Sequence, residues 1–257
     1  MASARSLIIG LLLWSWLAGA TPALANPVAD DLRLRLTVHS APAGLHAGGE
    51  ALRSAEAVHR FYAGRSWRPA WLDGLGRPLP AADDLLSVVV QAEFEGLRDS
   101  DYHKNAISNA LALVRQGYQV TPRQLADLDL LLTDAFLTYA GHMLMGRVSP
   151  HAVDDAWSLQ PRHRDLTAVL QQALDGNRVA QGLLALAPTH PGYARLRLAL
   201  QQHLAIARAG GWAELSPGAM LRPGDRGARV RELRARLRLS GDHGPQPVLD
   251  EDLFDVA

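Results

Sequence analysis

The fold is decided by one stretch of the chain, residues 121–146, which reads TPRQLADLDLLLTDAFLTYAGHMLMG. Thr121 can cap a helix, Pro122 suits its first position, and Gln124 stands at the capping-box position. The apolar residues that follow keep to one broad helical face until Gly146: Leu125, Leu128, Leu132, Ala135, Phe136, Tyr139 and Met143. This pattern is typical of a central core helix.

The sequence on both sides has the same helical spacing, with capping residues at many starts and glycines at many ends. We therefore predict further helices over residues 54–64, with Ser54 as the cap, and over 81–95, 100–116, 166–174, 179–186 and 193–209, with another start at Ser149-Pro150. The stretch Leu32–Val38 differs, because its strict alternation of apolar and polar residues predicts a strand. That strand has no evident partner, and the expected fold class is all-α.

The last part of the chain reads as a separate unit. The helix over residues 193–209 places Leu196, Leu200 and Leu204 on one stripe before it ends at Gly210-Gly211. A composition shift at residues 216–218 then marks a domain boundary. Beyond it, a glycine-containing loop leads into a helix that ends at Gly241 and carries three apolar residues on its inner face: Val230, Leu233 and Leu237.

The first residues predict export. Arg5 precedes an apolar run, Leu7–Leu17, that is too short to span a bilayer as a mature helix, and Ala23-Leu24-Ala25 fits a signal-peptidase site. Cleavage before Asn26 would remove 25 of the 257 residues and leave a periplasmic or secreted protein of 232, with an uncleaved anchor as the alternative. We find no later segment apolar enough to be a membrane span.

Composition excludes several classes of function. The chain has no cysteine, which removes disulfides, thiol nucleophiles and thiolate metal sites. Without Arg5 it has 25 basic and 26 acidic side chains, a balance that argues against a nucleic-acid binder. Lys104 is the only lysine. The excess of arginine over lysine has two explanations: a GC-rich coding sequence, or the ability of guanidinium groups to bind carboxylates through paired hydrogen bonds.

No catalytic motif stands out. The ten histidines are scattered and contain no His-Glu-x-x-His, which argues against a zinc site, and His142 is expected to be a hydrogen-bonded interior or rim residue. The acidic pairs Asp83-Asp84, Asp154-Asp155 and Glu251-Asp252 read as caps and solvated surface, since neighbouring helical residues point in different directions. Trp67 and Trp71 either pack in the core, the commoner use, or stack on a sugar. Phosphate loops and Gly-x-Ser-x-Gly elbows do not occur.

Two sets of motifs resemble known cell-wall proteins. The segment with Leu221, Gly224, Gly227, Val230, Leu233, Leu237 and Gly241 resembles the start of a three-helix peptidoglycan-binding domain. The upstream region looks like the scaffold domain of YcbB-type L,D-transpeptidases. The motifs that carry this resemblance are Phe61-Tyr62 with Arg65, Pro69-Ala70-Trp71, Glu95-Gly96-Leu97, Asp101-Tyr102-His103, Asp134-Ala135-Phe136, Tyr139-Ala140-Gly141-His142, Gly146-Arg147-Val148, Ala187-Pro188 with Tyr193, and Gly210-Gly211-Trp212.

The resemblance implies a helical scaffold, a peptidoglycan-binding domain and a β-rich catalytic domain whose cysteine forms a thioester. This sequence stops at Ala257 without that cysteine and without the binding domain's final helix. We therefore expect a signal peptide at 1–25, a scaffold domain at 26–217 and a truncated peptidoglycan-binding-like domain at 218–257.

We expect the chain to be non-catalytic, without cofactor or metal, and to act as a scaffold and wall-binding module in peptidoglycan cross-linking. Its expected partners are peptidoglycan and other cell-wall synthesis proteins, and the expected wall contacts are Arg222, Asp225 and Arg229. With the final helix missing, Val230, Leu233 and Leu237 are expected to be partly exposed and the tail frayed or merely docked on the scaffold. The alternative is a stand-alone periplasmic binding or adaptor protein that kept the scaffold and lost the enzyme.

Overall fold

A computed structural model describes residues 26–38, 44–148, 162–242 and 250–255. Within these ranges the fold is all-α, as predicted, with 60% helix and a single two-stranded hairpin. In chain order the α-helices are α1 Pro27–Val38, α2 Ala55–Gly64, α3 Pro80–Val90, α4 Lys104–Arg115, α5 Pro122–Met145, α6 Leu166–Asp175, α7 Val179–Leu184, α8 Pro191–Arg208 and α9 Ala228–Ser240. The hairpin strands are β1 His46–Ala47 and β2 Glu50–Ala51, and two 3-10 helices span Ala92–Glu95 and Asp99–Tyr102.

The long helix α5 is the centre of the fold. Its predicted capping box is present, because the Thr121 hydroxyl accepts from the Gln124 N–H at 3.3 Å and the Gln124 side chain accepts from the Thr121 N–H at 2.8 Å. Residues 128–141 are all buried, so the helix is covered on every side and not on one broad face alone. It packs against α1, α2, α3, α4, α6 and α7.

The strand predicted over Leu32–Val38 is wrong, because these residues belong to α1. Asn26 caps this helix, its side-chain oxygen accepting from the N–H groups of Val28 at 3.1 Å and Ala29 at 3.2 Å. The alternating leucines do not share a face: Leu32 and Leu36, four residues apart, are buried against α5, whereas Leu34 is 61% exposed. The burial of Leu32 and Leu36 on one side of a helix stabilises α1, although the local alternation of apolar and polar residues favours a strand.

The other predicted helices are present with changes at their ends. The helix expected over residues 81–95 divides into α3 and the 3-10 helix Ala92–Glu95, which Gly96 ends at a φ of 72°. The helix expected from Ser100 likewise divides into the 3-10 helix Asp99–Tyr102 and α4, with His103 between them at a φ of 54°. The helix start at Ser149-Pro150 and the acidic pair Asp154-Asp155 lie outside the described residues.

The two tryptophans serve packing. Trp71 is completely buried, and its indole N–H donates to the Thr133 hydroxyl at 2.9 Å. The carboxylate of Asp129, on α5, accepts from the backbone N–H of Ala70 at 2.8 Å and of Trp71 at 2.9 Å. Trp67 is half-buried against the same core. These bonds fix the segment between α2 and α3 to the central helix.

Helix α8 lies outside this core. It has no buried residue, and Leu196 of the predicted stripe is 71% exposed, whereas Leu200 and Leu204 are half-buried. Its main contacts with the core are with the 3-10 helix Ala92–Glu95. Glu95 accepts from the Tyr193 hydroxyl at 2.5 Å and from Arg197 at 2.7 Å, and Glu93 pairs with Arg208. Polar contacts, more than apolar burial, therefore hold α8 in place.

Candidate functional site

The three predicted wall contacts lie around the loop before α9. The carboxylate of Asp225 accepts from the backbone N–H of Arg222 at 2.7 Å and so closes the turn. Arg229 points the other way: its Nε donates to the carbonyl of Ser216 at 2.8 Å, and its Nη1 to that of Ala219. The structure therefore brings Arg222 and Asp225 together and uses Arg229 to hold the linker. The Arg222 guanidinium is exposed, with no side-chain bond to a described residue.

The linker is also tied to α9 from the other side. Glu232 accepts from both the N–H and the hydroxyl of Ser216, each at 2.8 Å, and these two bonds hold the pKa of Glu232 below its ordinary value. The predicted boundary at residues 216–218 is thus a chain segment fixed to the helix that follows it.

Residues 250–255, here called the C-terminal clasp, return to the loop before α9. The N–H of Gly224 donates to the Phe254 carbonyl at 2.7 Å, and that of Gly227 to the Asp252 carbonyl at 3.0 Å. Ion pairs then join the clasp to the loop and to α9: Arg226–Asp250, Arg231–Asp252, Arg234–Asp255 and Arg238–Glu251.

The clasp changes the expectation for the tail. Val230 is buried, so the prediction of its partial exposure is wrong, whereas Leu233 and Leu237 are half-buried as expected. The sequence carried a signal for the clasp: Arg231, Arg234 and Arg238 lie on one helical stripe, opposite an acidic run.

A second polar cluster lies on α5, and the sequence analysis missed it. The carboxylate of Asp134, 0% exposed, accepts from the N–H groups of Arg53 at 3.0 Å and Ser54 at 2.6 Å and from the Nε2–H of His103 at 2.8 Å. The other ring nitrogen of His103 lies 3.5 Å from a Glu50 oxygen. The Ser54 side chain, predicted to cap α2, makes no capping hydrogen bond. The Asp134 carboxylate instead accepts hydrogen bonds from the backbone at the start of this helix.

This cluster is not a hydrolytic triad. The Ser54 hydroxyl bonds to the Thr138 hydroxyl at 2.9 Å, and its hydrogen bonds do not include His103. Among the described residues, no group of three or more histidine, cysteine or acidic side chains could hold a metal ion. The arrangement joins α2, the hairpin and α5, and offers no activated nucleophile.

An ionic cluster borders this centre at the end of α5. Asp101 lies between Arg53, at 3.4 Å, and Arg147, at 3.1 Å. Next to it, the Tyr102 hydroxyl bonds to Nδ1 of His142 at 2.8 Å, so His142 is the hydrogen-bonded rim residue that was predicted. Burial and the nearby Arg147 lower the pKa of His142, which keeps it neutral near pH 7.

The described helices include none with the length and apolar character needed to cross a membrane.

A protein-family model matches this chain. The family is described as Scaffold domain, and the match covers residues 56–200, which is 145 of 257 residues and so more than half of the chain. It runs from the start of α2 into α8 and includes Asp129, Asp134 and His103. Neither the curated proteins nor the solved structures contain a match.

Proposed function

Because the chain belongs to the Scaffold domain family, which is found in L,D-transpeptidases, we propose that it is the non-catalytic front part of a YcbB-type peptidoglycan L,D-transpeptidase. Its helical core would act as a scaffold, and its tail as a cell-wall-binding module in peptidoglycan cross-linking. The chain contains no cysteine that could carry a thioester.

The attachment of α8 is the observation that supports a scaffold role. This helix of 18 residues is about 27 Å long at a rise of about 1.5 Å per residue. It is fixed to the core through Glu93 and Glu95, and it contacts α9 beyond. Helix α8 therefore joins the core to the tail, and polar contacts hold it to the core.

The proposal places the protein in the periplasm, or outside the cell, after removal of residues 1–25. Sequencing the amino terminus of protein purified from the periplasmic fraction tests this. A chain that starts at Asn26 is expected, and a chain that retains Met1 in the membrane fraction would contradict export by a cleaved signal.

Wall binding is tested by pull-down on purified sacculi. Three chains that start at Asn26 are compared: the chain through Ala257, the chain ended at Pro217, and the chain extended by the final helix of a peptidoglycan-binding domain. We expect weak binding by the first, none by the second and clear binding by the third. Equal binding by all three would show that the tail is not the wall-binding module.

Within the tail, Arg222→Gln tests the exposed guanidinium. Its matched control is Arg236→Gln on the exposed side of α9, since neither side chain has a bond to a described residue. We expect the first substitution to reduce sacculus binding and the second to leave it unchanged. An equal effect of both would indicate non-specific charge attraction and not a site at the loop.

A further inference from the structure

A cleft of about 430 Å³ opens between α6 and α7 on the helical core. Four of its lining residues are small, and they are here called the floor: Ala168, Ala173, Gly182 and Ala185. The two helices approach closely here, since a methyl group built on Gly182 would lie 3.1 Å from the side chain of Ala173. The floor is therefore apolar and presents methyl-sized side chains.

Two arginines border this floor, and neither guanidinium group has a hydrogen-bond or ion-pair partner among the residues that the structure describes. Arg164 precedes α6, and Arg178 precedes α7. Their neighbour Arg162 differs, because its guanidinium donates to the carbonyls of Met143, Leu186 and Ala187. Arg164 and Arg178 thus retain donors that can serve a ligand.

The described part of the cleft lining contains one acidic residue, Asp165, and its carboxylate is already engaged. One oxygen of the Asp165 carboxylate accepts from the N–H of Thr167 at 3.0 Å and from its hydroxyl at 2.7 Å. These bonds hold the pKa of Asp165 below its ordinary value, so it remains ionised as the cap of α6. Among the described residues, the cleft lining then carries two positive charges and one negative charge. An excess of one positive charge favours a carboxylate over a cation.

The lining also includes two amide side chains, those of Gln172 and Gln181. A glutamine amide offers both a donor and an acceptor, the complement of a peptide group. Guanidinium groups bind carboxylates through paired N–H donors. A peptide ligand satisfies the amides, the arginines and the apolar floor at once, whereas inorganic phosphate would leave the floor and the glutamines unused.

We propose that the cleft between α6 and α7 binds a short acidic peptide with methyl-sized side chains, whose carboxylates pair with Arg164 and Arg178. The site lies on the scaffold and does not require wall binding by the tail. Its success or failure is therefore distinct from that of the sacculus experiment.

The test is a titration of the isotope-labelled chain, from Asn26 to Ala257, with the soluble peptide acetyl-Ala-Glu-Ala, followed by NMR. The uncharged peptide acetyl-Ala-Gln-Ala amide is the ligand control. We expect amide shifts confined to α6, α7 and the residues that flank them, with the charged peptide only. Shifts of equal size with the uncharged peptide, or none with the charged peptide at tens of millimolar, would overturn the proposal.

Three variants complete the test. The double variant Arg164→Gln/Arg178→Gln should weaken binding by about tenfold or more, since it removes both charge-assisted pairs. Arg123→Gln, an exposed arginine at the start of α5 that does not line the cleft, should leave the affinity unchanged. Ala185→Phe should fill the floor and abolish binding while circular dichroism stays unchanged. Unaltered affinity of either cleft variant would place the peptide elsewhere.

Discussion

Replacing Asp134 by asparagine is expected to destabilise the folded chain by about 3–5 kcal/mol. The carboxylate accepts three hydrogen bonds, from the N–H groups of Arg53 and Ser54 and from His103. An amide has one oxygen and one NH2 group, so at least one backbone N–H must face another donor. That part-buried, unpaired N–H costs about 1–3 kcal/mol, and each of the two remaining bonds loses about 1 kcal/mol with the charge.

Thermal and urea unfolding, followed by circular dichroism, measure this loss. For a chain of this size a change of 1 kcal/mol moves Tm by roughly 2–4 °C, so Asp134→Asn should lower Tm by about 6–20 °C. The control is Asp84→Asn on α3, whose carboxylate has no hydrogen bond to a described residue; it should stay within about 0.5 kcal/mol. A loss of less than about 1 kcal/mol for Asp134→Asn would refute the reasoning, because these contacts would then not hold α2 to α5.

Three further outcomes are expected. Leu132→Pro, in the fully buried middle of α5, should cost about 3 kcal/mol or more in the free energy of unfolding, and a smaller loss in urea unfolding would contradict the central position of this helix. Burial raises the pKa of Asp129, so its stabilisation is complete below the unfolded pKa of about 3.9 and is lost as pH rises through the folded pKa. The native chain should therefore exceed Asp129→Asn in its free energy of unfolding, measured in urea, by less at neutral pH than at acidic pH. A difference that grows toward neutral pH would contradict the raised pKa of Asp129. Incubation with tetrapeptide muropeptides should give no new L,D cross-links by mass spectrometry, since the chain lacks a thiol, and any such product above a blank would contradict the non-catalytic assignment.

Helix α5 was predicted well because the signals at its two ends and its burial among the other helices favour the same structure. The capping box, the first-turn proline and the terminal glycine all act within a few residues, and the structure contains each of them. The prediction for Leu32–Val38 was wrong because the alternation of apolar and polar residues over seven positions is compatible with two structures. One is a strand, and the other is a helix that buries one face and exposes the opposite face. Asn26 followed by Pro27 is a cap and first-turn signal, and it could have corrected the prediction.

The polar contacts were less accessible from the sequence. Asp134 and Ser54 lie 80 positions apart, and Asp134 and His103 lie 31 apart, so no spacing rule connects them. The same holds for Arg164 and Arg178, which line one cleft only because α6 and α7 fold against each other. The sequence predicted Arg229 as a wall contact. Its hydrogen bond to the Ser216 carbonyl could not be predicted, because that bond depends on the path of the linker.

The contrast between α5 and α8 has a consequence for amide hydrogen exchange. The backbone of residues 128–141 can meet water only when the surrounding helices separate, so these amides should exchange with the free energy of global unfolding. Helix α8 buries none of its residues, and its amides should exchange through local opening. The border between slow and fast exchange should fall between Leu186 and Pro191. A partner that slowed exchange in α8 alone would therefore reveal itself as bound to the helix that joins the core to the tail.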